Sequence, residues 1–236
     1  MPQSFGPGNW NRKGLDSASR QLLSRGALLK PAVYRVETEG GPVLVKDCGS
    51  NLALVRPLAR WLLGRERKAL RKVEGLKGVP QLLAQPDSHS FICSWLDGKP
   101  LTREAFLLDP EGIANQLREL VSAIHERGVF HLDLRQSQNL LLSSNSELFC
   151  VDFGAAWVPG PFGSAFLARV FASVDSNAVV KWLARFSPEL LTAEEARRLL
   201  RGKFWRRLWF VSPHTDRGET AAARRRLLEL EENPKN

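Results

Sequence analysis

HLDLRQSQN at residues 131–139 and VDFG at residues 151–154 are the two stretches of sequence that decide the fold of this chain. Between them lie two apolar segments, 140–142 and 148–151, which the polar stretch 143–146 separates. Apolar runs on either side of a short Ser- and Asn-rich stretch predict two strands joined by a hairpin turn. A tight hairpin would bring the two quoted stretches to one end of the strand pair.

Three side chains in these stretches, Asp133, Asn139 and Asp152, are therefore expected to lie close together. Carboxylate and amide oxygens are hard ligands, and gathered in this way they suit a magnesium–phosphate site. A single Asp is more often a helix cap or a turn residue. Here, however, His131 and Asn139 flank Asp133, and an Asp-Phe-Gly sequence follows. The whole group favours a site that handles phosphate, and we expect His131 to pack and to form hydrogen bonds rather than to shuttle protons.

The order of these residues resembles the protein-kinase-like superfamily, in which H-R-D-L-x-x-x-N is followed by D-F-G. The resemblance implies an α+β fold with two lobes, ATP as the phosphate donor and Mg2+ as the metal. It also implies that Asp133 is the catalytic residue, which orients the attacking hydroxyl or accepts its proton. Asn139 and Asp152 would bind the metal and, through it, the nucleotide. In ordinary protein kinases the Asn occupies the position of Gln138; we favour Asn139 as the ligand, and Gln138 is the alternative.

Lys46 ends the segment VLVK at residues 43–46, which is similar to the V-A-I-K strand of kinases. The resemblance implies that Lys46 contacts the α- and β-phosphates of the nucleotide and pairs with an acid on the next helix. We expect that acid to be Glu66, and Glu74 is the other acid in the segment. A lysine that ends a strand is usually only solvated, so the assignment depends on the wider pattern.

Two parts of the kinase pattern are missing from the sequence. A glycine-rich loop would close its backbone amides over phosphates, but Gly26 is the only glycine near residues 28–33. After Gly154 no A-P-E sequence follows, and the stretch before the next helix is short. The surface on which protein kinases hold a peptide therefore looks reduced, which favours a non-peptide acceptor or a protein acceptor bound in some other way.

The hydrophobic pattern predicts a flexible arm at residues 1–20, an N-lobe at 21–97, a C-lobe at 98–212 and a polar, charged tail at 213–236. The N-lobe is rich in strands and has one helix over residues 52–75, which we expect Pro57 and Gly64 to break or bend. The C-lobe is mostly helical.

Three helices are expected after Gly154. Apolar residues predict one helix around 166–174 and a separate one around 178–186. A capping box that begins at Thr192 predicts the start of the third, and Gly202 is expected to end it.

Composition and charge are those of a globular protein with anionic partners. The 236 residues, 43% of them apolar, suffice for one two-lobed domain. The net charge of +9 favours nucleotide, acidic lipid, phosphorylated sugar or nucleic acid as partners.

Three cysteines without C-x-x-C spacing argue against a disulfide framework and against a zinc site. No apolar run has the length of a signal peptide or a membrane span, so we expect a cytoplasmic protein or one peripheral to the inner face of the inner membrane.

Within the superfamily, the chain resembles small bacterial kinases related to the lipopolysaccharide-core kinases, including the Kdo kinase type, and more distantly the RIO family. The matching segments lie between about residues 30 and 160: Arg65-Glu66 with Ala69-Leu70, Gly78-Val79-Pro80, Asp97-Gly98 with Pro100-Leu101, and the two stretches quoted above. The resemblance implies transfer of the γ-phosphate of ATP to a sugar hydroxyl of a glycolipid. A RIO-like serine/threonine protein kinase and a pseudokinase that binds without turnover are the alternatives.

Two basic regions bear on a membrane role: the helix around residues 60–72, and residues 197–210, where aromatic and arginine residues are interleaved. Segments of this kind contact anionic membrane surfaces. For the second region we place the alternative slightly ahead, in which its aromatic residues pack on the helical lobe and its arginines face water. A protein whose basic surface is itself the function is a further alternative, but nucleic acid is not expected, because nothing else resembles a nucleic-acid-binding module.

Overall fold

The structure, a computed structural model, describes residues 6–7, 9–160, 164–206 and 218–232, with the side chains of 201–206 and 232 left out. It has an α+β architecture with two antiparallel sheets, one of five strands and one of three. This arrangement is a two-lobed, kinase-like fold, as the sequence predicts. The predicted tail at 213–236 lies partly outside the described residues.

The N-lobe is built on the five-stranded sheet. In chain order its elements are α1 (Arg12–Ser17), β1 (Arg20–Ser24), β2 (Ala32–Thr38), β3 (Gly41–Asp47), α2 (Arg56–Lys72), β4 (Leu82–Ala84) and β5 (Ser90–Ser94). The strands lie in the order β1-β2-β3-β5-β4. Side chains alternate between the two faces of a strand, so buried Val43 and Val45 point away from the face that carries Lys46.

The C-lobe is mainly helical and contains the smaller sheet. Its elements are β6 (Lys99–Pro100), α3 (Arg103–Leu108), α4 (Pro110–Glu126), β7 (Leu140–Leu142), β8 (Leu148–Cys150), α5 (Ala165–Phe186), α6 (Ala193–Arg206) and α7 (Glu219–Glu232). Strands β7 and β8 form the predicted hairpin, with Leu140 opposite Cys150. Strand β6 pairs with β7, so the chain passes from the first sheet to the second between Ser94 and Lys99.

One cluster of buried apolar side chains runs through both lobes. It includes Leu70 of α2, Phe91 of β5, Leu117 of α4 and Leu183 of α5. A second, smaller cluster covers the other face of the large sheet, where Leu15 of α1 packs with strand residues. Cys48, Cys93 and Cys150 are all buried and free.

Residues 12–17 form helix α1 instead of part of a flexible arm. Asn11 caps the helix by accepting a hydrogen bond from Gly14 N at 2.9 Å, and Leu15 is fully buried. Arg12 lies 2.6 Å from Asp47 and 2.7 Å from Asp87. These partners are distant in sequence, and the Gly-, Pro- and Ser-rich composition gave no sign of them.

Three predicted helix boundaries also differ in the structure. Helix α2 is continuous. Pro57 lies in its first turn, where no amide donor is needed, and the single internal glycine, Gly64, lowers helix stability by only about 1 kcal/mol relative to alanine. Helix α5 is one helix of 22 residues rather than two, since Asp175 at its centre is buried with hydrogen-bond partners. The capping box at Thr192 is confirmed, with Glu195 N donating to Thr192 Oγ1 at 3.2 Å, but α6 continues through Gly202 to Arg206.

Candidate active site

Lys46, Glu66 and Asp152 form one ion-paired group where the two lobes meet. Lys46 Nζ lies 2.5 Å from Glu66 Oε1 and 2.7 Å from Asp152 Oδ1. Lys46 and Glu66 are buried, whereas 54% of the Asp152 side chain is exposed. Lys46 belongs to β3, Glu66 to α2, and Asp152 follows β8, so this group connects the N-lobe to the C-lobe.

The electrostatic environment keeps Lys46 charged. Burial alone lowers the pKa of Lys46, but the charges of Glu66 and Asp152, together with their hydrogen bonds, raise it above its ordinary value. Burial also opposes ionisation of Asp152, yet the charge and hydrogen bond of Lys46 lower the pKa of Asp152. At neutral pH the group therefore presents a fixed ammonium and an ionised, half-exposed carboxylate.

The local sequence explains why Lys46 and Glu66 meet. One face of α2 is buried, and Glu66 lies on that face at helical spacing from Ala59, Leu63 and Leu70. Lys46 lies on the matching face of β3. Glu74, the alternative partner, follows the end of α2 and is exposed.

The Asp-Phe-Gly turn places the Asp152 carboxylate toward Lys46. Asp152 has a φ of 63°, in the left-handed region that residues other than glycine rarely adopt. Its Oδ1 also accepts a hydrogen bond from Gly154 N at 3.3 Å. A Cβ at Gly154 would lie 3.2 Å from that oxygen and 3.8 Å from Glu66 Oε2, so a side chain at this position would crowd the group.

Asp133 and Asn139 form a second pair of predicted site residues. Asn139 Nδ2 donates to Asp133 Oδ2 and to the Asp133 backbone oxygen, both at 2.9 Å. Asn139 is buried at the end of a 3-10 turn, Ser137–Asn139, whereas Gln138 is exposed. Because Nδ2 is occupied by Asp133, the amide oxygen of Asn139 is the atom left to act as a ligand.

Backbone and histidine contacts connect the second pair to the Asp152 strand. Val151 N donates to Asn139 O at 2.9 Å. His131 lies between the segments: its Nε2 donates to Val151 O at 3.1 Å, and its Nδ1 accepts from Asp133 N at 3.3 Å. Burial lowers the pKa of His131 by more than the nearby Asp175 raises it, so the ring is neutral, as this pattern of one donor and one acceptor requires.

Asp175 of α5 is a site residue that the sequence reasoning missed. Its buried carboxylate accepts hydrogen bonds from His131 N and Leu132 N, both at 2.7 Å. His125 Nε2 lies 3.0 Å from the same carboxylate. Leu132 has a φ of 65°, and hydrogen bonds to a charged acceptor are strong enough to hold such a backbone. The sequence feature that could have pointed to Asp175 is that it is the only acidic residue in α5.

A loop held by Asn51 occupies the position between β1 and β2. Residues 25–31 lie at the end of the sheet near Lys46, because Val33 at the start of β2 pairs with Lys46. Asn51 is buried, and its Nδ2 donates to the carbonyl oxygens of Ala27, Leu28 and Lys30 at 3.1, 3.1 and 3.3 Å. A side-chain amide from outside the loop therefore fixes this segment, which lacks the glycine-rich pattern.

The donor set fits magnesium better than a soft metal. Asn139 and Asp152 offer amide and carboxylate oxygens, which are the ligands magnesium prefers. When bound, magnesium would neutralise negative charge on phosphate groups. The thiols are unsuited to metal binding here, because they are buried and burial raises the pKa of Cys93 to about 12.

Comparison with known proteins agrees with the kinase-like fold. The chain is 28% identical over 172 residues to CBL-interacting protein kinase 19 of Oryza sativa subsp. japonica, which covers 70% of this chain and 34% of that protein. It is 27% identical over 172 residues to CBL-interacting serine/threonine-protein kinase 19 of Arabidopsis thaliana, covering 70% of this chain and 35% of that protein. No protein-family model matches the chain.

The chain thus spans about a third of the length of the curated relatives it matches. The similarity supports a general kinase, or phosphate-transfer, function, and it does not extend to the lipopolysaccharide-core or RIO branches that the sequence motifs suggested. Of the helices in the described part of the chain, none combines the length and the apolar character needed to cross a membrane.

Proposed function

We propose that this chain is an ATP-dependent kinase that transfers the γ-phosphate of ATP to a hydroxyl acceptor. The observation that carries the proposal is the contact of Lys46 Nζ with both Glu66 and Asp152, at 2.5 and 2.7 Å. Three segments far apart in sequence supply the members of this group. A buried, permanently charged lysine at the junction of two lobes is suited to polyphosphate recognition.

Each proposed role follows from the contacts of the residue. Lys46, oriented by Glu66, binds the α- and β-phosphates. Asp133 is held by the Asn139 amide and by the backbone bond to His131, so its carboxylate is positioned to orient the acceptor hydroxyl and to take its proton. Asn139 and Asp152 hold the magnesium that accompanies the nucleotide. We propose Asn139 rather than Gln138 for this role because Asn139 is buried beside Asp133, whereas Gln138 is exposed.

A sugar hydroxyl of a glycolipid is the acceptor that we place first. Residues 156–164 are all that separates the turn after Asp152 from α5, which begins at Ala165. So short a connection leaves little chain with which to build a platform for an extended peptide. The proposal includes a cytoplasmic location, where ATP is supplied.

A protein Ser or Thr acceptor is the second candidate, and the relatives favour it. One of them is named as a serine/threonine-protein kinase. A peptide would then have to bind outside the reduced segment at 156–164.

The decisive experiment incubates the purified chain with γ-labelled ATP and magnesium, separately with a bacterial lipid extract and with a protein extract. Label in the lipid fraction is expected. Label found only in protein would exclude the glycolipid acceptor but leave the kinase proposal standing. Absence of transfer to either extract, with magnesium-ATP still bound, would instead indicate a pseudokinase.

The matching variant is Asp133→Asn, which keeps the shape of the side chain but cannot accept a proton. We expect the transfer rate to fall by about 100-fold or more, because general-base assistance contributes about 10²- to 10⁴-fold. The control is Glu119→Gln, an exposed acid on α4, which should transfer phosphate at the wild-type rate. Unchanged transfer by Asp133→Asn would remove Asp133 from the catalytic role.

A further inference from the structure

An exposed apolar patch surrounds the N-terminal end of α2. It consists of Leu28, Leu52, Leu54, Leu58 and Trp61, and we call it the α2 patch. Leu54 is 93% exposed and Trp61 58% exposed. The Leu28 carbonyl bonds to Asn51, the residue before Leu52, so the loop and the helix contribute to one surface. Large apolar side chains grouped in this way mark an interaction site more often than single ones do.

The spacing shows that the patch is not a part of the core that failed to pack. Leu58 and Trp61 are three residues apart within α2, so they lie along one side of the helix, and Leu54 lies in the turn that precedes it. Leu63, Glu66 and the other buried residues of α2 lie on the other side. The helix therefore has two separate apolar surfaces, one against the protein and one against solvent.

The exposed side of α2 becomes basic toward the C-terminal end of the helix. Arg60, Lys68, Arg71 and Lys72 are exposed, and the one acid of α2, Glu66, is buried against Lys46. Within the described part of the chain, no carboxylate lies within ion-pairing distance of these four side chains. The positive charge on this surface is therefore uncompensated within the described protein.

Arg67 shows the same excess of positive charge. Its Nε is buried without a hydrogen-bond acceptor among the described residues. Burial, with a smaller contribution from the neighbouring charge of Arg71, lowers the pKa of Arg67. An anionic partner at this surface would offset the unfavourable effect of the Arg71 charge on Arg67.

We infer that the α2 patch docks on an anionic lipid bilayer, with Leu54, Leu58 and Trp61 in the interfacial layer and the basic side chains at the lipid phosphates. A bilayer matches both halves of the surface at once, since its apolar layer lies directly beneath its negative charge. A second copy of this chain fits poorly, because each copy carries a net charge of +9.

Docking in this way leaves the candidate active site intact. Glu66 lies on the side of α2 that faces the protein, so a bilayer on the opposite side does not contact the Lys46–Glu66 pair. Apart from Leu28, which belongs to the loop at residues 25–31, the surface is separate from the phosphate site, and vesicle binding can be measured without nucleotide.

The test is co-sedimentation of the full chain with vesicles, in the absence of nucleotide. Vesicles of phosphatidylcholine alone are compared with vesicles that also contain phosphatidylglycerol, over a range of salt concentrations. We expect binding only to the anionic vesicles, and weaker binding as salt screens the charges.

Two variants divide the surface into its apolar and basic halves. One combines Leu54→Ser, Leu58→Ser and Trp61→Ser, and the other combines Lys68→Gln, Arg71→Gln and Lys72→Gln. Each should weaken vesicle binding by about tenfold or more. The matched controls change exposed residues of the same types on α7. The apolar control is Leu228→Ser, and the basic control combines Arg224→Gln with Arg225→Gln. Both should bind vesicles like the wild type.

Circular dichroism of every variant establishes that it is folded. The inference is overturned if the wild type does not bind anionic vesicles, or if both α2 variants bind them as tightly as the wild type. It is equally overturned if the wild type binds a single-stranded oligonucleotide with a steep salt dependence and leaves the vesicles unbound.

Discussion

Two residues at the candidate site, Leu132 and Asp152, hold left-handed backbone conformations although neither is a glycine. Such conformations cost about 1–3 kcal/mol each and persist only where surrounding contacts hold them. Asp175 holds the first by accepting the Leu132 amide, and Lys46 lies against the side chain of the second. The strained positions are thus the same positions that carry or adjoin the proposed catalytic groups.

Lys46→Met is expected to destabilise the protein in a pH-dependent way. The change leaves Glu66 buried without its counter-charge, which costs about 3–5 kcal/mol of unfolding free energy at neutral pH. Burial raises the pKa of Glu66 and Lys46 opposes this, so the pKa rises further when Lys46 is lost. An acid whose pKa is raised by folding lowers stability once the pH exceeds its unfolded pKa, so the loss should shrink as the pH falls toward about 4.

Urea unfolding at a series of pH values measures this trend. Lys77→Met, which changes an exposed lysine, should alter stability by less than about 0.5 kcal/mol at every pH. The double variant Lys46→Met with Glu66→Gln should recover part of the stability at neutral pH. A destabilisation by Lys46→Met that does not vary with pH would contradict the assignment of its cause to Glu66.

Asp175→Asn tests Asp175 as a positioning residue. The amide has one acceptor oxygen where the carboxylate has two, so the His131 and Leu132 amides can no longer both be satisfied as they are now. We expect a loss of about 1–3 kcal/mol in unfolding free energy, and faster hydrogen exchange at the Leu132 amide. Glu126→Gln, an exposed acid on α4, is the control; unchanged exchange at Leu132 in Asp175→Asn would show that the carboxylate does not hold this backbone.

The residues of the site differ in how far the sequence could predict their positions. The Lys46–Glu66 pair that the local patterns of β3 and α2 predict is present, and the contact of Lys46 with Asp152 is an addition from the structure. Asp133 and Asn139 are hydrogen-bonded to each other, whereas their approach to the Asp152 side chain and the chemical roles of all three residues stay predictions. Asp175 could not be found in this way, because its partners His131 and Leu132 lie 44 and 43 residues away, and no local pattern links a helix interior to a distant backbone.

At the scale of the element, the β7–β8 hairpin and the buried face of α2 follow directly from alternation and helical spacing. The errors arose where long-range contacts override a local signal. The sequence predicts two helices in place of α5 because the apolar residues fall into two groups, around 166–174 and around 178–186, whereas buried Asp175 continues the helix between them. The composition of residues 1–20 predicts a flexible arm, but Arg12 of α1 pairs with Asp47 in β3 and with Asp87 in the connection between β4 and β5, and these long-range contacts hold the helix in place.

The loop at residues 25–31 is the element whose fixation by Asn51 can be tested directly. Asn51→Ala removes the amide that bonds three carbonyl groups of the loop. Those carbonyls can be hydrated, so we expect only about 1 kcal/mol of lost stability, but about tenfold weaker binding of magnesium-ATP, which corresponds to about 1.4 kcal/mol. Nucleotide titration measures the effect; Asn145→Ala in the β7–β8 turn should bind normally, and equal affinities would exclude a role for the anchored loop.

At the scale of the whole molecule, the main apolar cluster does not stop at the lobe boundary. Leu63 and Leu70 of α2 belong to the same cluster as Ile113 and Leu183 of the helical lobe. The division into lobes at residue 98 remains a prediction from sequence. Among the described residues the main core is common to both lobes, and only the smaller cluster around Leu15 belongs to the N-lobe alone.

We therefore expect the two lobes to unfold together. Urea unfolding followed by far-UV circular dichroism and by tryptophan fluorescence should give coincident transitions. Leu70→Ala in α2 should cost about 2–5 kcal/mol and shift both transitions equally, whereas Leu83→Ala, at a more exposed site on β4, should shift neither by much. Two separated transitions, only one of which responds to Leu70→Ala, would show that the lobes are independent.

The contact between Lys46 and Asp152 has a consequence for which form of nucleotide can enter. The Asp152 carboxylate is already paired with the Lys46 ammonium. A polyphosphate that binds Lys46 must therefore displace this carboxylate. Bare polyphosphate would leave Asp152 beside like charge, which is unfavourable, whereas a nucleotide that brings a divalent cation exchanges one positive neighbour of Asp152 for another. If the site takes nucleotide as proposed, the resting ion pair would therefore discriminate against metal-free nucleotide before any chemistry begins.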